Sequence, residues 1–480
     1  MKRPSMNATD SLASEQPAEE ASDTLGHVHF LGLAGVGVSA VARLMAADGV
    51  PISGTDAKDL PVLEEFRRAG ATVHVGYSAA NLAAAEAQVG QSISTVIASS
   101  IAAAGNPEYD EALRRGLPVL HRSQGLAALM RTRRSVAVAG THGKTTTSSM
   151  ATVLLEQAGL SPTFAVGANV AGLGVNAALG SGEWFIAEAD ESDGSLLNYA
   201  PEVGVVTNVE PDHLDHYGTA EAVEQVFVDF TERISDGGHL VLCADDPGAR
   251  KLLQAVREPL TARGVSITSY GTAAEADLRL DELSPEGGTV IEGAARAPLR
   301  LSVPGLHNQL NALAAIAVGR RAGLALETCA AAISHFQGTS RRFELRGEVG
   351  KVRVYDDYAH HPTEVSAVLQ AARSSLAGTH GRVHAIFQPH LFSRTAAFAE
   401  DFGRALTAAD TVAVLEIYPA REEPIDGVTS ELLGHPVLSA SEAVAAVVAA
   451  AEPGDMIMTL GAGDVTALGA DVLAALQALR

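Results

Sequence analysis

The 480-residue chain has only two cysteines, Cys243 and Cys329, and neither sits in a C-x-x-C pair. Two isolated thiols exclude a disulfide framework and a cysteine-based zinc or redox site, and both read as ordinary buried side chains. Positive charge is also scarce, with 34 Lys and Arg against 57 Asp and Glu and a formal net charge of −23. A nucleic-acid or anionic-membrane surface needs clustered positive charge, so the expected partners are small molecules, with no nucleic acid and no membrane. No apolar run reaches the roughly 18 residues that span a bilayer, and the N-terminus lacks the basic-then-apolar plan of a signal peptide. A cytoplasmic protein is expected.

Residues 1–25 are rich in Ser, Glu, Ala and Pro and carry almost no large apolar groups, which predicts a disordered tail. Beyond it, short β-branched runs alternate with alanine-rich stretches at helical spacing. The runs are "VHFLGL", "STVIASS", "SVAVAG", "EWFIAEAD", "VGVVTN", "HLVLCAD" and "VRVYDDYA". That alternation predicts an α/β fold of βαβ units on mainly parallel sheets. A helix with a basic end before "SVAVAG" and the polar stretch "HFQGTSRRF" after a helix over 309–334 set the boundaries. The domains expected are 26–125, 126–337 and 338–480.

Two glycine-rich turns carry chemistry. Gly32, Gly35 and Gly37 lie between a strand and a helix, Gly35-x-Gly37-x-x-Ala40 matches a dinucleotide fingerprint, and Asp56 follows about 20 residues on. Small residues there let a backbone approach any diphosphate at a helix N-terminus, so a nucleotide sugar fits as well as NAD. Packing of helix on strand is the alternative use of the same glycines. The second turn is "GTHGKTTT", Gly140 to Thr147. It is two residues shorter than the usual phosphate loop, whose first glycine would fall at Val138. Its backbone N–H groups can wrap a phosphate, Lys144 can neutralise it, and the Thr145 hydroxyl can ligate Mg²⁺. Thr147 could serve as the helix cap. A dehydrogenase needs only the first turn and a switch NTPase only the second; an enzyme that uses ATP to activate a nucleotide-linked substrate needs both.

"EADESD" gathers Glu188, Asp190, Glu191 and Asp193 beyond a strand end, with Glu188 the best candidate metal ligand and a solvated acidic turn the alternative. "TNVEPDHLD" presents Asn208, Glu210, Asp212, His213 and Asp215; His213 could ligate a second cation or orient a carboxylate, whereas His216 reads as surface.

The ordered set "GTHGKTTT", "EADESD", "TNVEPDHLD", "HNQLNALAA", "GTSRRFE", "DDYAHHPTE" and "FQPHLFSRT" resembles the ATP-dependent Mur ligases over nearly the whole chain. The resemblance implies an N-terminal Rossmann-like domain, a central ATPase-type α/β domain and a C-terminal Rossmann-like domain. It further implies an enzyme of peptidoglycan synthesis that uses ATP and Mg²⁺ to join L-alanine to the lactyl carboxylate of UDP-N-acetylmuramate. The alternatives are a peptide-adding relative of cell-wall recycling and, more distantly, an NAD-binding dehydrogenase. By motif, Gly140, Thr141, His142, Gly143, Lys144, Thr145 and Thr146 would hold ATP phosphates. Thr145, Glu188 and His213 would hold metal, and His307, Asn308 and Asn311 would face adenine and ribose. Arg342 would reach the γ-phosphate, and Asp357 would fix the ribose or the amino-acid lobe. Gly32, Gly35, Gly37, Asp56 and Ser99 would take the nucleotide sugar; Tyr358, His360 and Arg394 would wall the alanine site. His360 or water would serve as general base. The family's arginine after "FQPH" is replaced here by Leu391, for which Arg394 or Arg421 could substitute. A monomer or weak homodimer is expected.

Overall fold

A computed structural model of the chain describes residues 25–99, 105–420 and 422–479. Residues 1–24 of the expected tail and Arg421 lie outside the described residues, as does the side chain of Asp215. The chain forms two compact units, one ending at Thr132 and one beginning at Arg133.

The first unit carries a five-stranded sheet of β1 (His27–Leu31), β2 (Ile52–Asp56), β3 (Thr72–Val75), β4 (Ile93–Ala98) and β5 (Val119–His121). Its order is β3-β2-β1-β4-β5 and every pair is parallel. The order reverses at β1, which places a ligand-accepting crevice beyond the carboxyl ends of β1 and β4.

The second unit carries two sheets. The larger is built from β6 (Arg134–Ala139), β7 (Thr163–Ala165), β8 (Ala177–Ala178), β9 (Trp184–Glu188), β10 (Val203–Val206), β11 (His239–Cys243), β12 (Ser266–Gly271), β13 (Leu278–Ser284), β14 (Gly287–Glu292) and β15 (Ala295–Arg300). Its order is β15-β14-β13-β12-β11-β10-β6-β9-β7-β8, parallel from β13 through β7 and antiparallel at both ends. The central strands β6, β9, β10 and β11 are mostly apolar and buried almost throughout because helices cover both faces. The helix Leu306–Arg321 is apolar nearly all round and packs on the helix Lys144–Gln157, which leaves neither a wet face. The helical stretch expected over 309–334 is two helices, Leu306–Arg321 and Leu326–Ile333, separated at the left-handed Gly323.

The third sheet comprises β16 (Glu344–Val349), β17 (Val352–Asp357), β18 (Val383–Phe387), β19 (Thr411–Val414) and β20 (Met456–Leu460), ordered β16-β17-β20-β18-β19. Only the β16–β17 pair is antiparallel. Its two faces hold separate apolar clusters, so it is doubly wound. The strands expected from the seven β-branched runs are β1, β4, β6, β9, β10, β11 and β17, and both cysteines are buried thiols.

His239 on β11 is buried and shares a 2.6 Å hydrogen bond with the Ser266 hydroxyl. Burial lowers its pKa from 6.5 to about 4. The unfolded chain therefore takes up this proton first as the pH falls below 6.5, and stability is lost until the folded imidazole titrates near 4. Between pH 8 and pH 5 the cost from this one group is about 2 kcal/mol. Denaturant titrations at the two pH values should show His239→Gln losing less stability than the parent by that amount.

Candidate functional site

In the first unit, Gly32 is left-handed (φ 72°), and Gly35 caps the helix Val36–Ala47 while donating its N–H to the Gly32 carbonyl. The Asp56 carboxylate accepts hydrogen bonds from the Ala34 N–H (2.8 Å) and the Lys58 N–H, so it fixes the glycine turn from the end of β2. Gly37 lies against the Arg122 side chain, and Ser99 follows the end of β4, half-buried. Gly32, Gly35, Gly37 and Asp56 therefore gather beside the crevice end of β1, with Ser99 at the end of the neighbouring strand.

In the second unit, β6 runs buried through Val138 to Ala139, and the chain turns at Gly140 (φ 131°) and Gly143 (φ 81°) before the helix that starts at Lys144. A side chain at Gly140 would meet the Thr207 hydroxyl at 2.0 Å, and one at Gly143 would meet the Asn311 amide at 2.7 Å. Both positions require glycine for space as well as for backbone angle. Thr147 lies inside this helix, whose N-cap is Gly143, so the helix start is set by the loop. Asn208 closes the loop by accepting from the His142 N–H (2.8 Å) and donating to the His142 carbonyl (3.0 Å).

Lys144 Nζ donates to the Gly140 carbonyl (2.9 Å), the Thr141 carbonyl and Glu191, whose other carboxylate oxygen lies 2.8 Å away. Burial opposes the ammonium charge, but Glu191, Asp190 and Glu188 together hold its pKa above the usual lysine value. Burial pushes the Glu191 carboxyl up to about 7 against the pull of Lys144. The Tyr217 hydroxyl donates to the Glu191 carbonyl and fixes that turn. Thr145 Oγ1 donates to Glu188 (3.1 Å), which also accepts from the Gly167 N–H (2.7 Å). Gly167 leaves no room for a side chain, since a Cβ there would meet Glu188 at 2.6 Å and Thr145 at 2.8 Å. A hydroxyl and a carboxylate sharing one glycine-floored notch are donors suited to a hard oxygen-seeking cation. His213 stands 3.7 Å from both Glu191 and Asp212, on a left-handed backbone (φ 54°), and burial lowers its pKa, leaving a neutral ring. His216 is exposed, as expected.

A cavity opens beside the loop, lined by His142, Thr146, His307, Asn308, Asn311 and Arg342. Asn308 and Asn311 are buried on one face of their helix, whose N-cap is Gly305, and Asn308 donates back to the Pro304 carbonyl (2.7 Å). Burial holds His307 near 4. Arg342 reaches the same cavity from the third sheet because Arg341 (φ 59°) and Phe343 (φ 50°) on either side are both left-handed. Such strain persists only where the surroundings over-determine it. Here Arg341 is bound to the Gly461 carbonyl (2.7 Å), and the Phe343 N–H donates to Asp357 (2.7 Å). Asp357 accepts a second bond from Ala359 (2.8 Å), and burial raises it to about 6.

Tyr358 lies under both Arg341 and Arg342, whose guanidinium carbons are 4.7 and 5.0 Å from its ring centre. His360 Nδ1 is 3.2 Å from Glu364, and its ring stands edge-on to Tyr358. Arg394 is buried and committed to Asp212, with Nη2 3.0 Å from Oδ1. Burial would raise Asp212, but Arg394 holds it well below the usual carboxylate range. Leu391 is buried at the N-cap of the helix Phe392–Leu406 with φ 73° and donates its N–H to the Tyr418 carbonyl.

Motif spacing gives Glu191 and Glu210 no role beyond membership of their acidic clusters and does not name His361 or Glu364, yet Glu191 pairs with Lys144, and Glu210 and Glu364 pair with His142. His361 and Glu364 are the N-cap and N3 residues of the helix Pro362–Ser375 and form a capping box, which is the local signal "HPTE" contains. Glu364 stands 3.3 Å from His142 Nδ1. Burial would raise Glu364, but His360 and His142 hold it well below the usual range. Burial would lower His142, but Glu210 and Glu364 raise it to about 9.

Three family models match the chain: "Mur ligase family, catalytic domain" over residues 27–134, "Mur ligase middle domain" over 138–319, and "Mur ligase, glutamate ligase domain" over 341–463. The chain is 57% identical to the UDP-N-acetylmuramate–L-alanine ligase of Arthrobacter sp. (strain FB24), with 97% of this chain and 98% of that protein covered. It is 55% identical to the enzyme of the same name from Paenarthrobacter aurescens (strain TC1), covering 95% and 98%. Among solved structures it resembles UDP-N-acetylmuramate-alanine ligase MurC from Thermotoga maritima (25% identity, TM-score 0.72, 95% and 100% covered). It also resembles a murein peptide ligase from Psychrobacter arcticus (26% identity, TM-score 0.65, 94% and 98% covered). Among the described residues, no helix is long and apolar enough to cross a membrane.

Proposed function

The chain belongs to the Mur ligase family, and from that premise we propose that it joins L-alanine to the lactyl carboxylate of UDP-N-acetylmuramate while ATP becomes ADP and phosphate. The observation that carries this reading is 57% identity, over almost the full length of both chains, to a ligase of that name. The two phosphate-handling turns on separate sheets support it, since the reaction takes two nucleotides. Residues 26–125 take the UDP-sugar, 126–337 take ATP, and 338–480 take the amino acid. These substrates are cytoplasmic, and so is the enzyme.

The lactyl carboxylate attacks the γ-phosphorus, ADP leaves, and an acyl phosphate results. The alanine amine then attacks the acyl carbon, and phosphate departs from the tetrahedral intermediate. Both steps build negative charge on oxygen, so the chain contributes mainly fixed positive charge and position. Lys144 exchanges Glu191 for a phosphate oxygen, and the N–H groups of Gly140 to Thr146 wrap the same phosphates. Arg342 meets the γ-phosphate, while His307, Asn308 and Asn311 face the adenosine. Thr145 and Glu188 would hold Mg²⁺, with His213 at a second ion, and the metal would neutralise phosphate charge. Tyr358, His360 and Arg394 surround the alanine site, and the ammonium proton goes to His360 or to water.

ADP release is expected only when UDP-N-acetylmuramate and L-alanine are both present. Mass spectrometry of the product from UDP-N-acetylmuramate, ATP and a mixture of amino acids should find one added alanyl residue. ADP formed at the same rate without the nucleotide sugar overturns the proposal, and a peptide adduct assigns the recycling reaction instead.

A further inference from the structure

His142 on the phosphate loop, Glu210 after β10 and His361 at the N-cap of the helix Pro362–Ser375 bring two imidazole nitrogens and a carboxylate oxygen within 4.8 Å of one another. His142 Nε2 lies 3.4 Å from Glu210 Oε2, and His361 Nδ1 lies 3.9 Å from the same oxygen. A tetrahedral zinc ion with bonds of about 2.0–2.1 Å sets its ligand atoms about 3.3–3.4 Å apart, so the His142–Glu210 pair already has the required spacing, while His361, whose distances to the other two fall within 4.8 Å, must shift inward. Both histidines are buried, and His142 Nε2, the nitrogen that faces Glu210, lacks a hydrogen-bond partner, whereas His361 Nδ1 accepts the Thr363 N–H of its helix cap at 3.4 Å, a long bond that the ion would take over. The two rings face each other with centroids 4.6 Å apart.

The surroundings complete the pattern. Glu364 stands 3.3 Å from His142 Nδ1, the carboxylate-on-imidazole arrangement that orients a metal-bound histidine. The Thr363 hydroxyl donates to Glu210 (2.7 Å) and steadies the carboxylate in the same way. Two imidazoles and one carboxylate suit zinc far better than Mg²⁺, which prefers oxygen alone. The geometry points to a zinc site at His142, Glu210 and His361, distinct from the Thr145, Glu188 and His213 positions. The ion replaces the proton on His142 Nε2 and releases it to solvent. It fastens the phosphate loop to the helix Pro362–Ser375, and so locks together the larger sheet and the third sheet.

Zinc binding to the full-length enzyme in saturating Mg²⁺ tests this, by competition against a chromogenic zinc chelator. One tight Zn²⁺ per chain is expected. His361→Asn keeps a strong N-cap and so preserves the helix start, yet should weaken binding by about 10–100-fold or more, as should Glu210→Gln. His213→Ala should retain the tight ion. Co²⁺ in place of zinc should give the visible absorption of a tetrahedral site in the parent and not in His361→Asn. No tight zinc in the parent, equal affinity in His361→Asn, or loss of the ion in His213→Ala overturns the proposal.

Discussion

Lys144→Ala is expected to lower ADP release in the presence of all substrates by about 10³-fold or more, with a separate effect on stability that depends on pH. The rate effect follows from removing the one ammonium inside the phosphate loop, where a fixed charge aimed at developing negative oxygen is worth about 10²–10³-fold even for a neutral donor. The stability effect follows from Glu191, 1% exposed and left without the ammonium 2.8 Å away. Removing one partner of a buried pair typically costs about 3–5 kcal/mol. Glu191, however, can escape by taking a proton. From a reference value of 4.5, protonation at pH 6 costs about 2 kcal/mol and at pH 8 nearly 5 kcal/mol. Because Glu191 already titrates near 7 in the parent, the parent bears most of that cost at pH 6, so the variant should lose little from this carboxylate at pH 6 and distinctly more at pH 8. Denaturant titrations at the two pH values and an ADP-release assay separate the two effects. Equal stability losses at both pH values would contradict the buried-carboxylate account.

How far the sequence carries this picture depends on the range of each interaction. The strands β4, β6, β9, β10 and β11 are legible because a strand buried on both faces is mostly apolar along its length, whereas β1 (HVHFL) and β17 (VRVYDD) show instead the alternation of apolar and polar residues. Lys144 is legible because four successive residues fold it over its own loop. Thr145 and Glu188 are legible as neighbours, because one opens the helix after β6 and the other ends the adjacent parallel strand β9, and their side chains meet at 3.1 Å. Asp56 is legible as a partner of the first glycine turn, although the contact observed is to the turn's own backbone. The pairs that join the larger sheet to the third sheet are not legible. Thr363 meets Glu210 across 153 residues and Arg394 meets Asp212 across 182. No periodicity encodes which carboxylate on one sheet will face which base on another, because the pairing is fixed only when the two sheets pack.

Arg394→Ala is expected to destabilise the chain by about 3–5 kcal/mol. Both partners are buried, at 6% and 4% exposure, and Nε and Nη2 of Arg394 both donate to Asp212 Oδ1. Asp212 also accepts from the His213 N–H (2.7 Å), so the ion pair holds the turn on which His213 sits. Truncating the arginine removes the group that holds the Asp212 pKa down, so burial raises it; the carboxylate must then either stay charged without its partner or take up a proton at neutral pH, and both cost free energy while the His213 N–H still favours the charged form. Truncating both should cost less than the sum of the single losses, with a coupling of about 1–3 kcal/mol in a double-mutant cycle. The same variants separate two uses of Arg394. If the guanidinium serves Asp212, Arg394→Lys keeps a charge, loses the second donor, and changes stability and kcat more than the KM for alanine. If it serves the alanine carboxylate, the KM for alanine rises while the cycle with Asp212 shows no coupling. The geometry favours the first outcome, because Arg394 already spends two donors on a buried carboxylate.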